Sequence, residues 1–201
     1  MIGTNNQSQD YKYIVAIGTS TGGPKALTKV LTDLDPNLPA TYVVVQHMPA
    51  GYTKALATRL NTLSGLTVKE GEHGEKLKKG TVYIAPGGKH LKLSHGTRPQ
   101  LILTDEDPYK GHKPSVNVML QSLYNLSPNQ KLIIVIMTGM GNDGLEGVTF
   151  LKDKRNIQVI AQDEQTSIVY GMPKAIVQAK LTNYVVPLET IAKTIQEIVG
   201  E

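Results

Sequence analysis

Apolar runs alternate with amphipathic stretches along most of this chain. The runs are rich in Val and Ile at consecutive positions, which is typical of parallel strands that are buried on both faces. The strands predicted in this way are Tyr13–Ile17, Tyr42–Gln46, Val82–Ala85, Leu132–Met137, Ile157–Ala161 and the short Tyr184–Val186.

Helical periodicity marks the stretches between these runs. Apolar residues recur there at positions i, i+3, i+4 and i+7, so that each helix has one apolar face to lay against a sheet. Helices are also the usual connections between parallel strands. The apolar stripes are Leu27, Val30, Leu31 and Leu34; Val116, Met119, Leu120 and Leu123; and Leu188, Ile191, Ala192, Ile195 and Ile198.

The pattern changes between Lys89 and Thr104. There the segments HLKLS and QLILT flank HGTRP, which predicts an antiparallel hairpin. The predicted fold class is α/β: a doubly wound, mostly parallel sheet with helices on both faces and an antiparallel hairpin at one edge. Residues 1–10 are polar and are expected to form a flexible tail or the remnant of a linker, and residues 11–201 are expected to form one domain.

Composition excludes several kinds of function. The 201 residues include no cysteine, which excludes disulfides, a cysteine nucleophile and cysteine-ligated zinc or iron–sulfur sites. The net charge of +4 is scattered along the chain without interleaved aromatic residues, so nucleic acid is not an expected partner. The acidic run Asp105–Asp107 is interpreted as a solvated loop, and neither a metal site nor a cofactor is predicted.

The location of the protein follows from its apolar segments. The longest apolar run, Leu132–Met137, is far shorter than the roughly 20 residues of a membrane-spanning helix. The amino terminus is polar and has no apolar segment of the kind found in secretory signals. The expectation is therefore a cytoplasmic monomer without membrane insertion.

The first candidate site is the segment GTSTGG at residues 18–23, between the first strand and the first helix. It fits the pattern G-x-S-x-G in the strand–turn–helix context that this pattern requires. A sharp turn at this point would hold the Ser20 hydroxyl outward as a nucleophile. The amide of Thr21 and the amino end of the following helix would face the same space.

Two other interpretations of this segment stay open on the residues alone. Ser20 or Thr21 could simply cap the helix. Alternatively, Gly18 and Gly23 have the spacing at which a Walker A phosphate loop begins, although Pro24 and Lys25 stand where that loop carries Lys and Ser or Thr. The motif by itself does not decide between a nucleophile, a cap and a phosphate cradle.

Two further candidates follow strands of the same predicted sheet. His47 comes directly after the strand Tyr42–Gln46 and is a candidate general base, unless it is a structural histidine. Asp143 lies in the glycine-rich segment after Leu132–Met137 and is a candidate to orient the histidine, unless it only forms an Asn-Asp-Gly turn. Because ligands bind at the carboxyl ends of parallel strands, all three side chains are expected at one edge.

Beyond these single residues, long stretches of the sequence resemble the catalytic domain of the chemotaxis protein-glutamate methylesterases, the CheB family. The similarity extends from Tyr13 to the last helix in a consistent order, which makes it far more specific than one G-x-S-x-G pattern. The similar stretches are IVAIGTSTGGPKAL, VVVQHMPAGYTKALATRL, VYIAPGGKHL, KPSVNVML, MTGMGNDG and AQDEQTSIVYGMPKA.

The resemblance implies a serine esterase that removes methyl groups from glutamate side chains of methyl-accepting chemotaxis receptors, and in many members deamidates receptor glutamines. It implies Ser20 as nucleophile, His47 as base and Asp143 as orienting acid. The backbone amides of Thr21 and Met140 match positions that bind the oxyanion. No metal or other cofactor is implied.

The resemblance also raises two questions about this chain. The family motif HRPSV is replaced here by HKPSV, in which His112 and Lys113 are assigned to substrate binding, with a surface lysine as the alternative. Family members usually carry an inhibitory receiver domain before the catalytic domain, and residues 1–10 are too few for one. The chain is therefore expected to be a catalytic fragment or a stand-alone member. A non-catalytic receptor-binding module and a nucleotide-binding regulator remain alternative functions.

Overall fold

The computed structural model describes residues 11–200, so the tail predicted over residues 1–10 lies outside the described residues. A sheet of seven parallel strands forms the centre of the molecule, in the order β3-β4-β2-β1-β7-β8-β9. Two further strands, β5 and β6, pair only with each other. The strands are β1 Tyr13–Thr19, β2 Ala40–Gln46, β3 Thr67–Glu70, β4 Thr81–Ile84, β5 His90–Leu93, β6 Leu101–Thr104, β7 Lys131–Ile136, β8 Ile157–Gln162 and β9 Tyr184–Val186.

Helices connect most of the successive strands of the sheet. Each of the three predicted apolar stripes lies wholly or mainly on a helix, and a short 3₁₀ turn, Leu123–Asn125, continues the third of these helices. The helices are α1 Gly23–Asp33, α2 Tyr52–Leu63, α3 Val116–Ser122, α4 Leu145–Lys154, α5 Met172–Gln178 and α6 Leu188–Gly200.

The sheet separates two apolar layers, as the side chains of β1 show. Alternate residues of a strand face opposite sides of a sheet. Tyr13, Val15 and Ile17 are buried in the layer formed with α1, α2 and α6. Ile14 and Ala16 are buried in the layer formed with α3, α4, α5 and the hairpin. Helices therefore cover both faces, and the predicted doubly wound α/β class is confirmed.

Strand register brings distant parts of the chain together at the carboxyl ends of the central strands. β1 lies between β2 and β7, with Thr19 opposite Gln46 and Gly18 opposite Ile136. The segments that follow these three strands therefore leave the sheet side by side. The sequence predicts the candidate site at these carboxyl ends.

The edges of the sheet differ in two respects from the pattern predicted by the sequence. The hairpin forms as predicted but makes its own two-stranded sheet, which a backbone bridge between Lys76 and Gln100 ties to the segment after β3. Strand β3, Thr67–Glu70, was not predicted because two of its four residues are charged.

In the described part of the chain, no helix is both long and apolar enough to cross a membrane.

Candidate active site

The turn between β1 and α1 holds Ser20 by its backbone. The Ser20 amide donates to the carbonyl of Thr138 at 3.0 Å, and the Gly23 amide donates to the carbonyl of Ser20 at 2.9 Å. Gly22 is the N-cap of α1, with a φ of +85°, and no side chain caps the helix. The alternative in which Ser20 or Thr21 serves as the cap is therefore wrong.

His47 is held beside this turn by its ring and by its backbone. Its Nε2 lies 2.7 Å from Oδ2 of Asp143, and its amide donates to the carbonyl of Thr19 at 3.1 Å. Its other ring nitrogen, Nδ1, is buried and has no hydrogen-bond partner among residues 11–200. Because the carboxylate accepts from Nε2–H, Nδ1 is the nitrogen left to accept a proton.

Asp143 is buried and surrounded by donors from the start of α3. Oδ1 accepts from the Ser115 hydroxyl at 2.9 Å and from the Asn117 amide at 3.0 Å, while Oδ2 accepts from the Val116 amide at 2.7 Å. Burial opposes ionisation, but the hydrogen bonds from His47 and from the two amides outweigh it and lower the pKa of Asp143. The carboxylate is therefore ionised and oriented.

Asn117 fixes the loop that carries Asp143. Its Oδ1 accepts from the amides of Gly144 and Gly147, at 3.0 and 2.8 Å. Sequence reasoning assigned no role to Asn117 or to Ser115. The available signal was a pair of polar residues beside the apolar stripe that begins at Val116.

Gln46 links Ser20 and His47 through their backbones. Its Nε2 donates to the carbonyls of Ser20 and His47, at 3.0 and 3.1 Å. Sequence reasoning missed this residue as well. The signal for it was a polar residue, fully buried here, at the end of an otherwise apolar strand.

The two amides predicted to bind an oxyanion lie in two segments: Thr21 follows Ser20 in the β1–α1 turn, and Met140 lies in the loop after β7. Neither the Thr21 amide nor the Met140 amide donates to another protein group within the described residues. The Thr138 hydroxyl donates to the carbonyl of Thr21 at 2.9 Å and so ties the two loops together. Free amides on linked loops are the type of donor that stabilises developing negative charge on oxygen.

Gly139 packs directly against Ser20. A Cβ atom at position 139 would lie 2.9 Å from Cβ of Ser20 and 2.4 Å from Sδ of Met172. Contacts of this length are not tolerated by packed atoms, so one of the neighbours would have to move. The position therefore requires glycine for reasons of space.

We expect Gly139→Ala to slow the reaction of Ser20 with a fluorophosphonate probe by about 100-fold, the order of loss that accompanies a displacement of about 1 Å. The control is Gly200→Ala, because a Cβ atom at position 200 has no neighbour within 4 Å. The measurement is the labelling rate of the folded proteins. Equal rates for both variants would mean that the packing of Gly139 does not hold Ser20 in place.

His112 and Lys113 lie at the mouth of the site. The ring of His112 stacks on the ring of His47 with centroids 4.2 Å apart and planes within 6°. Lys113 is paired with Asp105 at 2.6 Å, so its charge is directed toward this chain's own carboxylate. A cavity of about 250 Å³ is lined by both histidines and by the proline-containing segments that follow them, 48–49 and 113–114.

The residues around the site do not form a metal centre. Over residues 11–200 there is no group of three or more His, Cys, Asp or Glu side chains able to hold a metal ion. In the acidic run, Asp105 and Glu106 are exposed and pair with Lys113 and Lys92. The residues predicted for the site, which follow β1, β2 and β7, are a serine, a histidine and an aspartate.

Comparison with known proteins identifies relatives of this chain. The CheB methylesterase family model matches residues 15–195. The chain is 52% identical to the protein-glutamate methylesterase/protein-glutamine glutaminase of Halalkalibacterium halodurans, over 92% of this chain and 53% of that protein. The corresponding protein of Bacillus subtilis is 46% identical, over 94% of this chain and 53% of that protein.

A solved structure matches the fold. The crystal structure of the Thermotoga maritima CheB methylesterase catalytic domain superposes with a TM-score of 0.88 and 42% identity, covering 92% of this chain and 97% of that one. By contrast, the chain spans about half the length of the curated relatives it matches. The family model and the catalytic-domain structure both cover most of the chain, and on that evidence the chain belongs to the CheB methylesterase family.

Proposed function

We propose that this chain hydrolyses glutamate methyl esters on chemoreceptors, and deamidates receptor glutamines, through an acyl-enzyme on Ser20. The observation that carries the proposal is the state of the two ring nitrogens of His47. One binds the buried carboxylate of Asp143 at 2.7 Å, and the other is buried and unpartnered beside the Ser20 turn. That is the arrangement of a general base prepared for a neighbouring hydroxyl.

The first half of the reaction forms an ester on the enzyme. The Ser20 hydroxyl attacks the ester carbonyl while His47 Nδ1 takes the hydroxyl proton. The amides of Thr21 and Met140 donate to the oxygen that becomes negative, and one donor of this kind is worth about 10²–10³ in rate. When the tetrahedral intermediate collapses, Nδ1–H gives its proton to the departing methoxide, and methanol leaves.

The second half of the reaction returns the enzyme to its starting state. Water attacks the glutamyl ester while His47 Nδ1 takes one of its protons. Collapse of the second tetrahedral intermediate returns that proton to Ser20 and releases the glutamate side chain. With a glutamine substrate the same steps release ammonia in place of methanol. Asp143 keeps Nε2 protonated throughout and stabilises the imidazolium.

In the described structure the Ser20 hydroxyl and His47 Nδ1 are not hydrogen-bonded to each other. Such bonds are often long in sites without substrate and shorten once it binds. The surroundings of Ser20 also fit an aliphatic ester, because Met140 and Ile168 expose 70% and 62% of their surface on the neighbouring loops.

The phosphate-binding alternative for this turn has less support. The amides of Ser20 and Gly23 already donate to protein carbonyls, so the turn has few free donors for a phosphate. Pro24, which has no amide hydrogen, stands in the first turn of α1. A nucleotide is therefore a poor match for the residues between β1 and α1.

The test is release of methanol from methylated receptor, measured with and without a metal chelator. We expect methanol release that the chelator leaves unchanged and that is absent after fluorophosphonate treatment. Receptor binding without methanol release would indicate a non-catalytic binding module and contradict the proposal. Activity that is lost on chelation and recovered only with zinc would contradict the serine mechanism.

A further inference from the structure

The ring of His47 is in contact with a second imidazole that takes no part in the steps above. The rings of His112 and His47 are parallel to within 6°, with centroids 4.2 Å apart. A hydrogen bond from Nε2 to Asp143 fixes an atom that lies close to the axis of the Cβ–Cγ bond, so it only weakly limits rotation of the His47 ring about that bond. A flat neighbour parallel to the ring removes this freedom, because rotation would drive the two rings into each other.

The loop that carries His112 is fastened at several points. His112 and Tyr109 exchange backbone hydrogen bonds, each 3.0 Å long. The Tyr109 hydroxyl donates to Glu146 of α4 at 2.6 Å, and Lys110 pairs with the same carboxylate. The position of the His112 ring is therefore set by the fold of the loop and by its attachment to α4.

The charge of the second ring also matters to the first. Burial lowers the pKa of His112 and repulsion from His47 lowers it further, while Asp143 acts in the opposite direction. Two titratable groups contact the His47 ring: Asp143, from the loop after β7, and His112. The neighbouring Lys113 is paired with Asp105 instead. At neutral pH His112 is uncharged and presents an aromatic face to His47 without repelling its protonated form.

We propose that His112 is a positioning residue for the general base: its ring holds the plane of the His47 imidazole so that Nδ1 stays directed toward Ser20. This inference rests on the proposed function. It gives His112 a different task from substrate binding, and the two tasks predict different kinetics. A positioning residue affects kcat and acylation by small reagents, whereas a substrate contact affects KM.

The test compares three substitutions at position 112 with one control. His112→Ala removes the ring, His112→Phe keeps a flat ring, and His112→Leu keeps bulk without a flat face. The control is His95→Ala, because His95 is exposed in the hairpin turn. The measurements are the rate at which a small fluorophosphonate labels Ser20, and kcat and KM for hydrolysis of a small methyl ester.

We expect His112→Ala to lose about 10- to 100-fold in labelling rate and in kcat with little change in KM, the size of loss that follows misplacement of a catalytic group. His112→Phe should recover most of the loss and His112→Leu little of it, while His95→Ala should match the unsubstituted protein.

Three results would overturn the inference: labelling of His112→Ala at the unsubstituted rate, a rise in KM alone, or equal recovery by Phe and Leu. If His112→Ala does not fold, the comparison of the Phe and Leu variants decides. Failure of the unsubstituted protein to label at all is a separate outcome, because it overturns the proposed function on which the inference depends.

Discussion

Ser20→Ala is expected to abolish ester hydrolysis and fluorophosphonate labelling together, with a loss in kcat on the order of 10⁶. The reason is that the Ser20 oxygen is the only protein atom in the proposed mechanism that forms a covalent bond to the substrate. The fold should be unaffected, since the Ser20 contacts that shape the turn are made by its backbone amide and carbonyl. The measurements are methanol release, labelling and thermal unfolding of the purified variant.

The matched control is Ser127→Ala. Ser127 is partly buried and lies just before β7, at the amino ends of the parallel strands. The candidate site lies at their carboxyl ends, so the Ser127 hydroxyl cannot take part in the reaction. Its variant should keep full activity and full labelling. A folded Ser20→Ala protein that hydrolyses the ester at the unsubstituted rate would show that the nucleophile lies elsewhere.

Asp143→Asn is expected to lower kcat by about 10⁴ while leaving the protein folded. The asparagine carbonyl would keep the hydrogen bonds from Ser115 and the Asn117 amide and lose only the one from the Val116 amide, which leaves the NH₂ group facing His47. That group would donate to Nε2 and so force the proton onto Nδ1. An Nδ1 that already carries a proton cannot accept the one from Ser20.

Asn rather than Ala is the informative replacement at position 143. Alanine would leave the Ser115 hydroxyl and the two amides of α3 buried without an acceptor, and would confuse instability with loss of catalysis. The control is Asp153→Asn, the same chemical change at an exposed position of α4. Unchanged kcat in folded Asp143→Asn would contradict the orienting role. The double variant Ser20→Ala/Asp143→Asn should show no larger loss of kcat than Ser20→Ala alone, because the residues act as one unit.

The centre of this fold was predictable because local pattern and tertiary environment agree there. Strands β1, β2 and β7 are buried on both faces along most of their length, so their sequences are mainly apolar, and the ends of those runs located Ser20, His47 and Asp143. At the edge of the sheet the agreement fails. Strand β3 carries Lys69 and Glu70 on opposite sides, and only Val68 of its four residues is buried, so the run has no apolar period to detect.

The supporting parts of the site were harder to predict for a different reason. Gln46 and Asn117 bond to backbone groups from other elements, so their roles depend on which segments meet in space. The stacking of His112 on His47 joins residues 65 positions apart through the course of an irregular loop. Neither kind of contact leaves a periodic signal in the sequence.

The position of β1 in the sheet has a consequence for the order of folding. Its partner β2 follows within 30 residues, but its other partner, β7, begins 118 positions after the residue with which it pairs. Closing so long a loop costs more entropy than closing a short one, and folds dominated by distant pairings form slowly. During synthesis at about 5–20 residues per second, one side of β1 therefore stays unpaired for roughly 6–25 seconds. Over that time the nascent chain leaves incomplete the pairing of a strand that is fully buried in the folded protein.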